Sequence, residues 1–595
     1  MIKENYEFIK ILPDWAKIFA RKYCSNTAST YIFHGNIRDF LAQRTGEQEF
    51  SFVDVRDYIA DVLFGYNGKI ICYDRSSGLS FIENPYESVP NKTKKDYVQE
   101  ITKIYNSSST ENENNNDILS NPFTKKITTA LDLVEKYFYE KIKEKSRVIF
   151  IVDYSETVVP AARGSTYPEE DRFSFVTIKR WAYNPIFIKK DITIILLTEN
   201  LYELNESLTK CPNIIKIHVP MPNEYIRHNF LEYNLKEKKL FLEETLPITT
   251  VAKITGGLNL VNINQIIAES FHEKKSISMD FLRRRKKELI EAESAGMLEI
   301  VDTEENLDLV SGHEFVKKIL RNTADNIKKG MLDVIPMGFL ISGPVGTGKS
   351  FLVKCFTGEI GIPVVRLLNF RSKYVGVTES NLEKILDILK AMSPVAVIID
   401  EADAVLGDRK VEGDSGTSSR VFAQISNFMG NTDYRGKIIW FLITCRPDLL
   451  PIDIKRQGRC EEHLSLFYPE TEQERRDLFD VMLRKINAKT TFKYRDDIFR
   501  NNKYSYSGAD IESVLIRSKR LAIFDGMDFI TEKHIREAAS SFIPPVYPYE
   551  VELQNLVAVL EGTNAEMIPK RYLDMPKSKI AETIREIKLI LNERS

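Results

Sequence analysis

Apolar positions along the chain gather into short, β-branched runs separated by polar or amphipathic stretches, and the pattern is written twice. In the first half the runs are Thr30 to Phe33, Lys69 to Tyr73, Arg147 to Asp153 and Asp191 to Thr198. In the second they are Met337 to Ser342, Pro363 to Leu367, Val395 to Asp400 and Lys437 to Thr444. Short apolar runs that alternate with helical stretches predict mostly parallel strands covered by helices, an α/β pattern in two copies. Beyond Glu470 strand signals fade and the pattern is helical. The stretch from Asn106 to Asp117 is too polar to bury and reads as an exposed insertion. From Lys274 to Glu305 the chain is helical and charged; the basic run Arg283 to Lys287 is followed by Glu288, Glu291 and Glu293, which predicts a self-paired, solvated face and not a nucleic-acid patch.

Length sharpens this picture, because 595 residues exceed what a single core organises. Hydrophobic residues at 43% and charged residues at 28% are ordinary globular usage and exclude disorder as the main state. With 83 basic and 85 acidic side chains the net charge is −2, so no global field draws the chain to nucleic acid or anionic lipid. The six cysteines form no C-x-x-C pair, which argues against structural zinc and a disulfide framework. His313-Glu314 opens like the zinc helix H-E-x-x-H but lacks the second histidine. No run approaches the roughly 18 apolar residues of a membrane span and the N-terminus lacks an apolar signal core, so the expectation is a soluble, cytoplasmic protein without membrane insertion.

Two motifs carry chemistry. Gly343-Pro344-Val345-Gly346-Thr347-Gly348-Lys349-Ser350 fits G-x-x-x-x-G-K-[ST], directly after an apolar run and before a helical segment opening at Phe351. Glycines let backbone N–H groups turn inward around phosphates, Lys349 supplies counter-charge to the β- and γ-phosphates, and the Ser350 hydroxyl suits Mg²⁺. About fifty residues on, Val395 to Ile399 delivers Asp400 and Glu401 at a strand tip, one suited to the Mg²⁺ shell and the other to activating water. ATP and Mg²⁺ are the expected cofactors.

With these motifs the sequence resembles the AAA ATPases of the classical clade. Ile443-Thr444-Cys445-Arg446-Pro447-Asp448 resembles that clade's sensor-one segment, with cysteine where asparagine is usual, and Arg456-Gln457-Gly458-Arg459 resembles its paired arginines. Tyr506-Ser507-Gly508-Ala509-Asp510 looks like the lid turn where Gly508 and Ala509 approach adenosine; Leu307 to His313 is similar to the segment whose backbone reads adenine, here Val310, Ser311 and Gly312. Ser372 to Gly376 with Glu379, Gly413 to Phe422, and the approach from Lys286 to Glu299 are similar to the plastid and cyanobacterial ycf-type tandem AAA proteins.

The resemblance implies tandem P-loop AAA+ modules, each a parallel αβα sheet with a helical lid, the first degenerate and the second active. Its expected divisions are a degenerate module over 1–240, a helical lid and linker over 241–305, an ATPase large subdomain over 306–468, a lid over 469–545 and a C-terminal helical extension over 546–595. In the first half Phe33-His34-Gly35-Asn36 stands where a phosphate loop would be, without its lysine, and Tyr154 follows Asp153 where a catalytic glutamate would stand. Lys349, Glu401, Cys445, Arg456 and Arg459 are the implied catalytic set, the two arginines reaching a neighbour's γ-phosphate in a homo-oligomer, expected to be a hexameric ring. Tyr374, Val375 and Gly376 are the implied pore loop. The expected function is ATP-driven remodelling of a protein substrate; the alternative is a slow nucleotide-gated scaffold that switches partner binding without threading. A nucleic-acid motor is disfavoured by the charge balance.

Overall fold

Long β-branched runs bury both faces of a strand, and where they occur the chain forms the interiors of two sheets. The computed structural model describes residues 6–45, 49–85, 125–161, 167–237, 241–244, 246–368, 377–406, 417–499, 506–543 and 547–593. The insertion expected over 106–117 and the pore-loop residues Tyr374, Val375 and Gly376 lie outside these. Two compact units are present: Met1–Leu289 with Glu379–Ala391, and Ile290–Thr378 with Met392–Ser595.

In the first unit β1 (Thr30–Gly35) is followed by a hairpin of β2 (Leu41–Arg44) and β3 (Phe50–Val53), then β4 (Lys69–Asp74), β5 (Gly78–Ile82), β6 (Val148–Val152), β7 (Ile192–Leu197) and β8 (Ile214–Val219). Six of these form one sheet in the order β8-β1-β7-β6-β4-β5, parallel except for β5. Alternate residues feed two cores: Phe150 and Ile194 face Phe138 and Trp181 of covering helices, while Phe33 and Ile195 face Trp15 and Phe19 on the other side. Helices Glu224–Lys236, Ile248–Ile254, Leu260–Glu273 and Met279–Glu293 come after the sheet. The last carries the basic run: Arg285 pairs with Glu288 at the expected helical spacing and also with Glu269 of the preceding helix, whereas Lys286 departs from the expected solvated face, being buried with its ammonium donating to the Ile254 carbonyl.

The second unit repeats the architecture. β9 (Leu298–Ile300), β10 (Gly338–Ser342), β11 (Val364–Leu367), β12 (Val395–Ile399), β13 (Ile438–Thr444) and β14 (Glu462–Ser465) lie in the order β14-β10-β13-β12-β11-β9, parallel except for β9. Strand for strand this is the order of the first sheet, β1, β4, β6, β7 and β8 corresponding to β10, β11, β12, β13 and β14. The antiparallel edge differs in origin: β5 returns directly from β4, whereas β9 enters from within the stretch expected as lid and linker. A separate helical core lies beyond β14 in the chain, with Phe479, Phe499, Val514 and Ile535 packed together, and it includes the short parallel pair β15 (Lys489–Thr490) and β16 (Phe529–Ile530). Helices Pro548–Glu561 and Lys577–Glu593 then bury Leu556, Val557, Ile580 and Ile584 against Phe467, just beyond β14.

Candidate nucleotide site

Register places the chemistry at one edge of the second sheet. Ser342 of β10 pairs with Thr444 of β13, and Ile399 of β12 with Leu442, so the loop after β10, the Asp400-Glu401 turn and Cys445 leave the sheet at neighbouring levels. This C-terminal edge is where parallel α/β sheets place ligands.

The loop 343–348 cannot be built from ordinary residues. Gly343, Gly346 and Gly348 have φ of 143°, 82° and 85°, in the region that favours glycine. A Cβ on Gly343 would stand 2.1 Å from the Leu466 carbonyl oxygen, so a larger residue would force the loop off the edge strand. Helix Lys349–Ile360 begins here, its N-terminal amides facing the loop. The Lys349 ammonium is buried and donates to the carbonyls of Gly343 and Pro344, both at 2.8 Å, which fixes a positive charge inside the loop. Helix N-terminus, glycine-built loop and buried lysine together fit a polyphosphate. Ser350 stands on the exposed side of the first helical turn.

Across β13, β12 is buried throughout, and Asp400 follows directly after it. The next residue, Glu401, has φ of 48°, donates its backbone N–H to Asp400 Oδ1 at 2.9 Å and is exposed. A left-handed glutamate is a strained choice for an L-residue, tolerated where the turn must aim a side chain. Thr444 Oγ1 donates to Asp403 Oδ1 at 2.6 Å and accepts from the Arg446 N–H, tying the end of β13 to the helix that comes after Glu401. Cys445 is a half-buried free thiol at the same strand end.

The remaining predicted residues do not all lie at this edge: Arg459 stands at the other end of β10, where a Cβ on Gly338 would be 2.8 Å from its carbonyl oxygen. Gly508 and Ala509 open helix Gly508–Phe524, whose N-cap Ser507 forms a capping box with Asp510. A Cβ on Gly346 would meet Ser507 Oγ at 3.0 Å, so the lid turn does lie against the phosphate loop. Val310, Ser311 and Gly312 precede helix Glu314–Lys328; Lys317 Nζ donates to the Val310 carbonyl, and Ser311 Oγ is buried without a hydrogen-bond partner among the described residues, a polar atom that fits a base edge. The two arginines part company. Arg456 is 59% exposed and paired only loosely with Asp453 at 3.3 Å, whereas Arg459 is 9% exposed and donates to the Asp453 carbonyl at 2.7 Å. One is free to reach outward; the other braces the turn that carries it.

The loop's supports come from distant parts of the sequence. Gln554 accepts from the Val345 N–H at 2.9 Å, and the Tyr468 hydroxyl donates to the Val345 carbonyl, so the phosphate loop is held by residues more than a hundred positions downstream. Glu561 of the same C-terminal extension pairs with Lys455, and Lys588 with Asp448, next to the arginine turn. No local pattern announces such partners.

In the first unit β6 ends as β12 does. Tyr154 has φ of 49° and donates its N–H to Asp153 Oδ1 at 2.9 Å, the backbone geometry of Glu401 on Asp400 with an aromatic ring in place of the carboxylate. Since that ring accepts no proton, Asp153→Asn is expected to leave ATP turnover close to that of the unchanged chain; a large loss in an ATPase assay would show that this turn takes part in hydrolysis.

Comparison with known proteins agrees with the geometry. Residues 6–220 match the AAA+ chaperone N-terminal Rossmann-like domain, 225–295 the AAA+ chaperone second helical domain, and 339–468 the ATPase family associated with various cellular activities. The chain is 27% identical to an uncharacterized AAA domain-containing protein, ycf46, of Trieres chinensis over 57% of its length and 68% of the relative's. It is 30% identical to the proteasome-activating nucleotidase of Methanococcus vannielii over 38% of its length and 55% of the relative's. A cell division cycle protein 48 homolog of Archaeoglobus fulgidus is 23% identical over 70% of this chain and 62% of the relative. Two units with one strand order and three matching family models give the chain the build of tandem AAA+ modules, similar to the ycf46-type proteins.

Proposed function

We propose that the second unit binds and hydrolyses ATP with Mg²⁺, that the chain assembles as a homo-oligomeric ring, hexameric by its resemblance, and that the cycle remodels a protein substrate. The observation that carries this is the shared sheet edge at which the loop with buried Lys349, the Asp400-Glu401 turn and the sensor strand meet. Bound Mg²⁺·ATP supplies the scissile phosphoanhydride and the cation that spreads its charge. Loop amides and Lys349 hold the phosphates; Ser350 and Asp400 hold the cation; Glu401 takes the proton of the attacking water. Val310, Ser311, Gly312, Gly508 and Ala509 border the base and sugar. Arg456, exposed on its turn, reaches the site of the next subunit, and Arg459 keeps that turn in shape.

A relative named as a proteasome-activating nucleotidase supports work on protein. Tyr374, Val375 and Gly376 are assigned to a pore loop on their sequence alone. ATPase assays with an unfolded protein, DNA or RNA added test the reading: stimulation by the polypeptide is expected, and stimulation by nucleic acid alone would overturn it. Among the described residues no helix is long and apolar enough to cross a membrane.

Cys445 favours a second reading of the same site, a slow nucleotide-gated scaffold. A thiol donates a much weaker hydrogen bond than an amide, and loss of one well-aimed donor in a dry site slows the reaction by roughly ten- to a thousandfold. Thr444 cannot replace it, its hydroxyl being engaged by Asp403. Cys445→Asn is therefore expected to accelerate hydrolysis about tenfold or more with ATP affinity little changed. Unchanged turnover with intact binding would mean that another group already positions the water.

A further inference from the structure

In the first unit, charged side chains of the chain itself stand at the sheet edge that corresponds to the phosphate loop and the Asp400-Glu401 turn of the second. β1 ends in Gly35 with φ of 95°, where a Cβ would stand 2.6 Å from the Val219 carbonyl oxygen of β8. Gly343 has the same relation to Leu466, so the turn that opens a phosphate loop is retained. Beyond that turn stand Arg38 and Asp39, in place of a glycine-rich loop and lysine. Arg38 Nη1 lies 2.7 Å from Oδ1 of the buried Asp153, the counterpart of Asp400, and its guanidinium stands 3.8 Å over the ring of Tyr154, the counterpart of Glu401.

Asp39 is also buried. Its carboxylate accepts from the N–H groups of Leu260 and Val261 at 3.0 and 2.9 Å and from the Asn36 amide at 2.8 Å. Leu260 and Val261 are the first two residues of helix Leu260–Glu273, and the next amide, of Asn262, is taken by the Asn259 cap. By chain order this helix corresponds to Gly508–Phe524, which in the second unit starts against the phosphate loop.

We propose that the first unit carries a built-in substitute for Mg²⁺·nucleotide: Arg38 gives Asp153 its cation and Asp39 gives the lid helix its anion, so that the helical region of this unit stays closed on its sheet without nucleotide. An anion at a helix N-terminus is favourable, and a buried charge persists only when paired in this way. Burial raises the Asp39 carboxyl to about 6, against the donors that hold its charged form, which leaves it ionised at neutral pH. The adjoining cleft is lined by Arg38, Arg56, Asp39, Asp54, Asp74 and Asp153, four carboxylates to two guanidiniums, a wall that repels a triphosphate. Only the second lid then responds to ATP, and the first unit is a fixed body in every phase of the cycle.

Two readings on the full chain test this. With hydrolysis blocked by Glu401→Gln, equilibrium dialysis with Mg²⁺ and ATP should give one ATP per chain, and two would overturn the proposal. Absence of binding would contradict the assignment of the second unit and leave the exchange experiment to decide this one. In hydrogen exchange the segment 257–266 should be protected equally with and without ATP, and Asp39→Ala should speed its exchange about tenfold or more, since its N-terminal amides lose their acceptor. Unchanged exchange in Asp39→Ala, or slowing of this segment by ATP in the Lys349→Ala protein, would overturn the proposal. Should Asp39→Ala fail to fold, the ATP count and the exchange of segment 257–266 with and without ATP still decide.

Discussion

Replacing Glu401 with glutamine is expected to slow ATP hydrolysis by about two to four orders of magnitude while ATP stays bound, the loss typical of a missing general base. The amide keeps the shape of the side chain and the left-handed turn that aims it, and it loses only the capacity to accept a proton. The turn itself should survive, because the hydrogen bond holding it comes from the backbone N–H of residue 401 to Asp400. Lys349→Ala is the companion change. It removes the buried ammonium that the Gly343 and Pro344 carbonyls hold, and the loop is expected to lose ATP altogether. The two variants thus separate binding from chemistry. Equal turnover in Glu401→Gln and the unchanged chain, with ATP bound in both, would remove Glu401 from the mechanism.

Arg456→Ala should have an effect of similar size by another route. An arginine placed on the transferring phosphate from a neighbouring subunit contributes about 10³- to 10⁵-fold in rate. Arg456 has the exposure for that role and, among the described residues, is paired only with Asp453 at 3.3 Å. Hydrolysis should collapse with ATP affinity preserved. Arg459→Ala should also depress hydrolysis and in addition lower thermal stability, because the buried guanidinium holds the Asp453 carbonyl and its loss leaves a polar group unsatisfied, on the order of 1–3 kcal/mol. A thermal shift in Arg459→Ala without one in Arg456→Ala is the signature that distinguishes a brace from a reaching group.

Which features the sequence makes legible depends on whether they are local. β1, β4, β6 and β7, and β10 to β13, could be read because a strand covered on both faces must be apolar at nearly every position, as Val148-Ile149-Phe150-Ile151-Val152 is. The edge strands gave no such run. β8 alternates Lys216 and His218 with apolar residues, β14 carries Glu462, His463 and Ser465 in four positions, and β9 has three residues. The phosphate loop and the Asp400-Glu401 turn are contiguous in sequence, so spacing and context identify them. Gln554 on Val345, Asp403 on Thr444 and Asp39 on Leu260 join residues 209, 41 and 221 positions apart and have no sequence signature. Nor does spacing tell which arginine of Arg456-Gln457-Gly458-Arg459 turns inward; packing against Gly430, where a Cβ would stand 3.1 Å from Arg459 Nε, decides that.

The central claim, that the second unit hydrolyses ATP with an arginine supplied by the next subunit, meets its most direct test in a mixing experiment. Glu401→Gln and Arg456→Ala proteins, each inactive alone, are combined under conditions where differently tagged subunits are shown to co-purify, and ATP turnover is measured. In random mixed rings an intact Glu401 of one subunit faces an intact Arg456 of its neighbour at about a quarter of interfaces, so turnover should recover toward that fraction of the unchanged protein. Mixtures that stay inactive although subunits exchange would contradict the account.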